Sequence, residues 1–337
     1  VSSINTTTRV DPFLSQISTA YFQRGNFFAG KLCPPVEVDG SGQVLTISKG
    51  DFKRADAGKR APSTRPVQVN FSSSFATVTT EEWAAEVVLD AKKVRRASFD
   101  LERAGAMRAA EAVGQRLDAA AAAAFLGSGI WGAEETGVSS SPSTDQFLQW
   151  NDSSSTPLKD LLRGLDAVEK STGRRPNRLA LGPEVFSALA VHANFASSIS
   201  LGPSGVTNQT TGDVESVAQR IADRVGLESV IRCPSSYNSA AQGQTASMSY
   251  HVGKVALLYY VGPAELRDAL EPSACVLAFA PNYEGAVAVG DEMEPSILGT
   301  TYYFDDPLKS HVFSCTGDFK CHVQAADLAW FAASAVA

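Results

Sequence analysis

Four residues near the C-terminal end are of types that bind zinc: His311, Cys315, Cys321 and His322 form an HxxxC…CH pattern. A structural zinc site needs four such ligands converging tetrahedrally. If the segment is extended, His311 and Cys315 share a face while Cys321 and His322 point to opposite faces, so the spacing argues against a metal. Serine, histidine and aspartate all occur, but neither the GxSxG elbow of a hydrolase nor the HExxH pair of a zinc protease is present. The GPSG run at 202–205 lacks the Lys-Ser/Thr that completes a phosphate loop and follows a helix-and-loop region. No motif warrants a catalytic assignment, and no cofactor is implied. The five cysteines, Cys33, Cys233, Cys275, Cys315 and Cys321, are odd in number, scattered and without a CxxC pair. They read as buried thiols, with an inter-subunit disulfide as the alternative, and not as a disulfide framework.

The remaining chemistry is electrostatic. From 49 to 66 the chain reads KGDFKRADAGKRAPSTRP, with Lys49, Lys53, Arg54, Lys59, Arg60 and Arg65 against the acids Asp51 and Asp56, inside a chain of net charge −7. That overall acidity argues against a protein whose main task is gripping nucleic acid, because such affinity comes from Lys and Arg neutralising phosphates. The basic run reads either as a solvated loop or as a loop reaching onto an acidic neighbour, such as one presenting Glu81, Glu82 and Glu86.

These groups must be positioned by the elements around them. With 337 residues, 44% hydrophobic and 19% charged, the chain has ordinary globular composition and is long enough for two domains. Its longest apolar stretches, 119–126 and 328–337, fall short of the roughly 20 residues of a membrane-spanning helix. The opening VSSINTTTRVDPF lacks the basic flank and apolar run of a secretory signal, which predicts a soluble product made in a cytoplasm. Residues 1–35 carry Phe13, Ile17, Tyr21, Phe22, Phe27, Phe28 and Leu32, too few for a core of their own and too many for a solvated tail. They read as an arm that packs on something else.

Next, Val44, Thr46 and Ser48 alternate with Leu45 and Ile47, and 67–79 is rich in Val, Phe, Thr and Ser, so the basic run becomes the tip of a long hairpin. Thr79 and Glu82 stand at capping-box spacing and predict a helix start. A helix over about 99–125 follows from Met107, Ala110, Val113, Gly114, Leu117, Ala121, Ala124 and Phe125 at helical spacing, with Arg103, Arg108, Glu111, Arg116 and Asp118 as polar surface. Such a spine is about 40 Å long. The Gly- and Ser-rich stretch 127–156 predicts a domain boundary. Beyond it, helix 158–172, strand 178–181, helix 184–193, helix 214–225, strand 229–233, a polar hairpin and strand 254–261 predict a mixed α/β unit. The tail from Tyr283 reads as strands returning to a sheet beside the spine, with Leu328, Trp330 and Phe331 as an exposed apolar end.

One junction ties these elements together. In TGRRPNRLALGPEVFSALAVHANF, residues 172–195, Gly173 suits the positive φ of a helix C-terminus and Pro176 forbids helical continuation. Leu179 and Leu181 then alternate as in a short strand, and Gly182-Pro183 turns into Glu184, an acid suited to a helix's first turn. This junction, with VDPFLSQISTAYFQ, the basic hairpin, SVIRCPSSYNSAAQG and KVALLYYVGPA in that order, resembles the major capsid proteins of tailed bacteriophages, in the branch of the lambda-type coat protein.

The resemblance covers most of the chain and implies an α+β protein with the Hong Kong 97 fold. On it, residues 1–35 are the N-terminal arm, 36–80 the extended loop, 81–153 with 283–337 the peripheral domain containing the spine helix, and 154–282 the axial domain. It implies a coat protein and not an enzyme, assembling as hexamers and pentamers into an icosahedral or prolate shell in the bacterial host cytoplasm. Its partners are then copies of itself, a portal, a scaffold, a decoration protein and packaged double-stranded DNA held only non-specifically, with no membrane. Residues expected at inter-subunit contacts are Lys49, Lys53, Arg54, Lys59, Arg60 and Arg65, the acids Glu81, Glu82 and Glu86, and the aromatics Phe13, Phe27, Phe28, Trp330 and Phe331. Lysine–asparagine isopeptide cross-links occur in some capsids of this fold, but nothing here singles out an asparagine and its acid. The alternatives are an encapsulin-type compartment, which shares the fold, and a soluble α/β enzyme.

Overall fold

A period of two, not a capping box, governs the residues after Thr80. In the computed structural model, β4 (Glu81–Asp90) is a ten-residue strand in which half-buried Trp83, Ala85, Val87 and Leu89 alternate with exposed Glu82, Ala84, Glu86 and Val88. The expected helix start is therefore overturned. Thr79 and Glu82 have the spacing of a cap, but the apolar residues that follow fit only a sheet with one covered face. The structure describes residues 27–38, 41–46, 59–60, 65, 74–97, 100–193, 195, 214–240, 244–263, 271–280, 288–289, 292–293 and 297–337.

Before β4 come one helical turn, α1 (Ala29–Leu32), the short strand β1 (Pro35–Glu37), and the base of the expected hairpin, β2 (Ser41–Thr46) and β3 (Ser74–Thr79). These two strands pair antiparallel, with Ser41 opposite Thr79 and Thr46 opposite Ser74. After β4, α2 (Ala91–Arg96) is capped by Asp90, whose carboxylate accepts from the Lys92 amide at 2.7 Å. The spine follows as α3 (Leu101–Phe125), capped in the same way by Asp100 and close to its expected bounds.

The Gly/Ser stretch is not an unstructured excursion. It contains β5 (Ala133–Val138) and β6 (Gln146–Leu148) and buries Trp131, Phe147 and Trp150. Then come α4 (Pro157–Thr172), β7 (Arg178–Leu181), α5 (Pro183–Val191), α6 (Val214–Val225), β8 (Ser229–Arg232), the hairpin β9 (Ser236–Asn238) and β10 (Met248–Tyr250), and β11 (Ala256–Tyr259). Gly173 ends α4 at φ 69°, as its position before Pro176 demands. The chain closes with β12 (Cys275–Ala280), β13 (Ala288–Val289), β14 (Glu292–Met293), β15 (Gly299–Asp305), β16 (Ser310–Val323), a 3-10 turn at Ala326–Leu328, and β17 (Ala329–Ala333).

Two sheets organise the core. In the first, β16 pairs along one side with β4 and along the other with β15 and then β12, and β1 extends it parallel to β12. The spine α3 lies on one face. It approaches closely at Gly105, where a Cβ would stand 2.9 Å from Leu89 Cδ1 and 3.1 Å from Phe313 Cδ2. The opposite face is covered at its β12 end by Val36, Val38 and Val78 against Val276 and Ala278.

The second sheet has the order β6-β5-β17-β11-β7-β8. Leu179, Leu181, Ala256, Leu258, Trp330 and Ala332 pack in one cluster with α4, α5 and α6. On the other face Ala180, Leu257, Tyr259, Ala329 and Phe331 pack in a cluster shared with α3.

The sheets cross the boundaries drawn from sequence. β5 and β6, from 81–153, and β17, from 283–337, join the sheet of the 154–282 unit, while β12, from 154–282, joins the sheet beside the spine. β15 and β16 join the sheet beside the spine as expected, whereas β17 joins the second sheet.

Candidate interaction surfaces

The acids expected to receive a basic loop stand on an edge. β4 bonds to β16 on one side, and among the described residues no strand bonds its other side. Glu81 forms an ion pair with Lys320, and the Tyr303 hydroxyl donates to Glu86 Oε1 at 2.6 Å, a bond that raises the phenol's pKa above its usual value. Glu82 is exposed, and so is Val88 farther along the same face, at 51%. Two of the three acids thus already have a partner within the chain, and exposed pairs of this kind contribute about 0–1 kcal/mol. Lys59, Arg60 and Arg65 are exposed. Lys49, Lys53, Arg54 and Phe13 lie outside the described residues.

The aromatic residues expected at contacts are placed differently. Trp330 and Phe331 are each 1% exposed, because β17 is an inner strand of the second sheet and not an exposed end. Trp330 lies against Phe147, ring centroids 6.3 Å apart, and fills the gap left by Gly164, where a Cβ would come within 2.6 Å of the indole. Leu328 is likewise buried. Phe28 is 1% exposed and belongs to the main core, and Phe27 is half-buried. Both the C-terminal aromatics and Phe28 therefore anchor the chain to itself.

Sequence reading missed what holds Phe28. Asp118, taken as polar surface of the spine, is fully buried, and its Oδ1 accepts from the amides of Phe28 and Ala29 at 3.1 and 3.0 Å. Burial raises its pKa to about 6, with these hydrogen bonds restraining the rise. Two further bonds fasten α1: the Tyr259 hydroxyl donates to the Leu32 carbonyl at 2.7 Å, and Arg178 Nη1 donates to the Lys31 carbonyl at 3.2 Å. An acidic residue inside a helical pattern carries no signal of this role, since spacing alone places Asp118 beside both Leu117 and Ala121.

The junction motif is also structural. Asn177 accepts from the Val261 amide at 2.9 Å and donates to the Val261 carbonyl and to Glu228, each at 3.0 Å, joining the entry of β7 to its neighbours. At Gly182 a Cβ would fall 1.9 Å from the Gly253 carbonyl oxygen, so glycine is required by close backbone approach. Arg174 pairs with Glu271 at 2.7 Å.

The zinc-type residues all lie on β16. His311 and Cys321 are ten positions apart on one extended strand, about 33 Å. His311 Nδ1 lies 2.7 Å from the Tyr302 hydroxyl, burial raises the Cys315 pKa to about 11, and burial lowers that of His322. Among the described residues no three His, Cys, Asp or Glu side chains converge as metal ligands. No helix among them is long and apolar enough to cross a membrane.

The comparisons with known proteins bear on this geometry. A family model described as phage capsid protein matches residues 75–287. The major capsid protein of the Burkholderia phage BcepMu is 24% identical over 201 residues, a match spanning 58% of this chain and 62% of that protein, thus less than two thirds of the relative's length. A phage-related protein from Bordetella bronchiseptica RB50 superimposes with a TM-score of 0.68 at 18% identity, covering 98% of this chain and 99% of its own. A virus-like particle protein from Pyrococcus furiosus does so with a TM-score of 0.53 at 11% identity, covering 95% and 97%. At these identities the two structures bear on the fold alone.

Proposed function

The chain belongs to the phage capsid protein family, a family of structural proteins and not of enzymes, and from that premise we propose that it is the major capsid subunit of a phage, building a closed shell from copies of itself around double-stranded DNA. The observation that carries this reading is an architecture whose peripheral elements, among the described residues, are only partly covered. The base of the β2–β3 hairpin packs through Val78 in a small cluster with Val38, Val276 and Ala278, and among the described residues no strand bonds the second side of β4. A two-stranded hairpin is marginal alone, and an open edge is a liability. Both are resolved when copies pack together.

On this reading the chain follows the Hong Kong 97 plan: an arm at 1–35, an extended loop at 36–80, a peripheral domain around α3 and β16, and an axial domain around the second sheet. Hexamers and pentamers form in the bacterial host cytoplasm, with a portal and a scaffold as partners and a decoration protein as a further one. The basic loop tip of one copy meets the acidic β4 edge of the next, weakly at each contact but repeated over the lattice. The mild net acidity suits a wall that must not bind the packaged polymer tightly.

The test is electron microscopy with sedimentation on particles from cells expressing this chain with its neighbouring genes. Uniform polyhedral shells of a single ~36 kDa chain holding nuclease-protected DNA are expected. Protein cargo in place of DNA would select an encapsulin-type compartment, and a persistent monomer or dimer would overturn both. The combined substitution Lys53→Glu, Arg54→Glu, Lys59→Glu and Arg60→Glu is expected to abolish or severely reduce shells while the monomer's unfolding curve stays unchanged. Normal shells from that variant would remove the loop-tip contact.

A further inference from the structure

Cys33 and Cys275, 242 positions apart in sequence, lie Sγ to Sγ at 3.2 Å, and both are buried. The sheet sets this contact. β1 runs parallel to β12 with Pro35 opposite Leu277, and carrying that offset back two residues sets Cys33 against Cys275. Adjacent strands stand about 4.8 Å apart, inside the 4.4–6.8 Å between Cα atoms that a disulfide spans. The competing thiol is Cys321, opposite Leu277 on β16 and therefore diagonal to Cys275, at about 7–8 Å. Only Cys33 is within bridging geometry.

The geometry points to an intrachain redox site: Cys33 and Cys275 close to a disulfide that fastens the N-terminal segment covalently to the first sheet. The oxidant is a small disulfide such as oxidised glutathione. When α1 lifts from Asp118, the Cys33 thiol loses its proton and the thiolate attacks one sulfur of the oxidant, expelling a glutathione thiolate. The Cys275 thiolate then attacks the Cys33 sulfur of the mixed disulfide and expels the second. One S–S bond forms in the protein as one breaks in the oxidant. Two electrons and two protons leave the protein and end as two molecules of reduced glutathione.

Docking protects the thiols from this reaction. Burial, then the Cys275 hydrogen bond, raises the Cys33 pKa well above its usual value, so the nucleophilic thiolate is suppressed until the segment opens. Once closed, the disulfide links positions far apart in sequence and stabilises chiefly by restricting the unfolded chain. In a shell subunit the pair would be thiols in a reducing cell and a disulfide after release. That consequence rests on the capsid reading, whereas the cross-link itself does not.

The experiment uses the isolated full chain, refolded in a glutathione redox buffer and, separately, incubated folded with oxidised glutathione. Remaining thiols are blocked with N-ethylmaleimide and a non-reducing peptide map is read by mass spectrometry. A Cys33–Cys275 cross-linked peptide is expected, retained in Cys321→Ser and absent from Cys33→Ser, with an unfolding midpoint about 3 °C or more above that of the reduced chain and restored by reductant. Maleimide on both Cys33 and Cys275 of the refolded chain would overturn the site, as would either one paired with Cys321. A cross-link without a rise in midpoint would overturn the fastening role.

Discussion

The two sheets share one core but solve burial in opposite ways. β4 alternates half-buried and exposed residues along its length, with α3 on one face and, among the described residues, much of the other uncovered. In the second sheet β11 is buried at all four positions and β17 at four of five, because helices α4–α6 cover one face and the cluster shared with α3 covers the other. A one-faced sheet keeps polar side chains available for contacts, whereas a two-faced sheet spends its residues on cohesion. The expected contact residues divide accordingly: Glu82 and Glu86 belong to the open face, and Trp330 and Phe331 to the closed sheet.

The sharpest test of that division is Trp330→Ala. Removing an indole wedged between Gly164 and Phe147 is expected to cost about 3–5 kcal/mol, read as a lower urea midpoint at unchanged slope. A loss under about 1 kcal/mol would mean that the second sheet is not the cohesive half.

Asp118→Asn probes the junction of the two halves, where the spine meets α1 and, nearby, Cys233 beyond β8. The Asp118 pKa is raised in the folded state, so its neutral form contributes stability that is fully present below the unfolded value near 3.8 and lost as pH rises through about 6. The asparagine variant escapes that loss. Its stability relative to the parent chain is expected to climb between about pH 4 and pH 7 by about 2–3 kcal/mol, measured by denaturant unfolding at a series of pH values. A difference independent of pH would remove the account of Asp118 as a buried titrating anchor.

The smallest effect belongs to the open face. Val88→Ser changes an exposed side chain on β4 and should alter monomer stability by less than about 0.5 kcal/mol. A loss above about 1 kcal/mol in the isolated chain would show that this face is covered within the subunit.

The reading of helices from sequence was close. Spine, α4 and α6 fall within about two residues of their expected bounds, since periodicity and Gly173 mark them locally. Strand 178–181 and the hairpin base also stood out, because alternation and turn residues act within a few positions. The helix start at Thr79 failed because a capping spacing competed with alternation that begins only at Glu81. Of the residues expected at contacts, Glu81, Glu82 and Glu86 were read beside a helix start and stand instead on strand β4. The burial of Trp330 was not legible, because AWFAA reads as apolar whether it ends the chain on a surface or inside a sheet.

By itself, the sequence determined the four longer helices, several strands and the order of motifs that marks the capsid family. Only the tertiary structure decided that β17 enters the second sheet and β12 the first, that Asp118 is buried, and that Cys33 meets Cys275. The physical reason is range. Periodicity and capping are settled by neighbours three or four positions away, whereas strand partners and the covering of a face are settled by segments hundreds of residues apart, whose pairing leaves no mark on either segment alone.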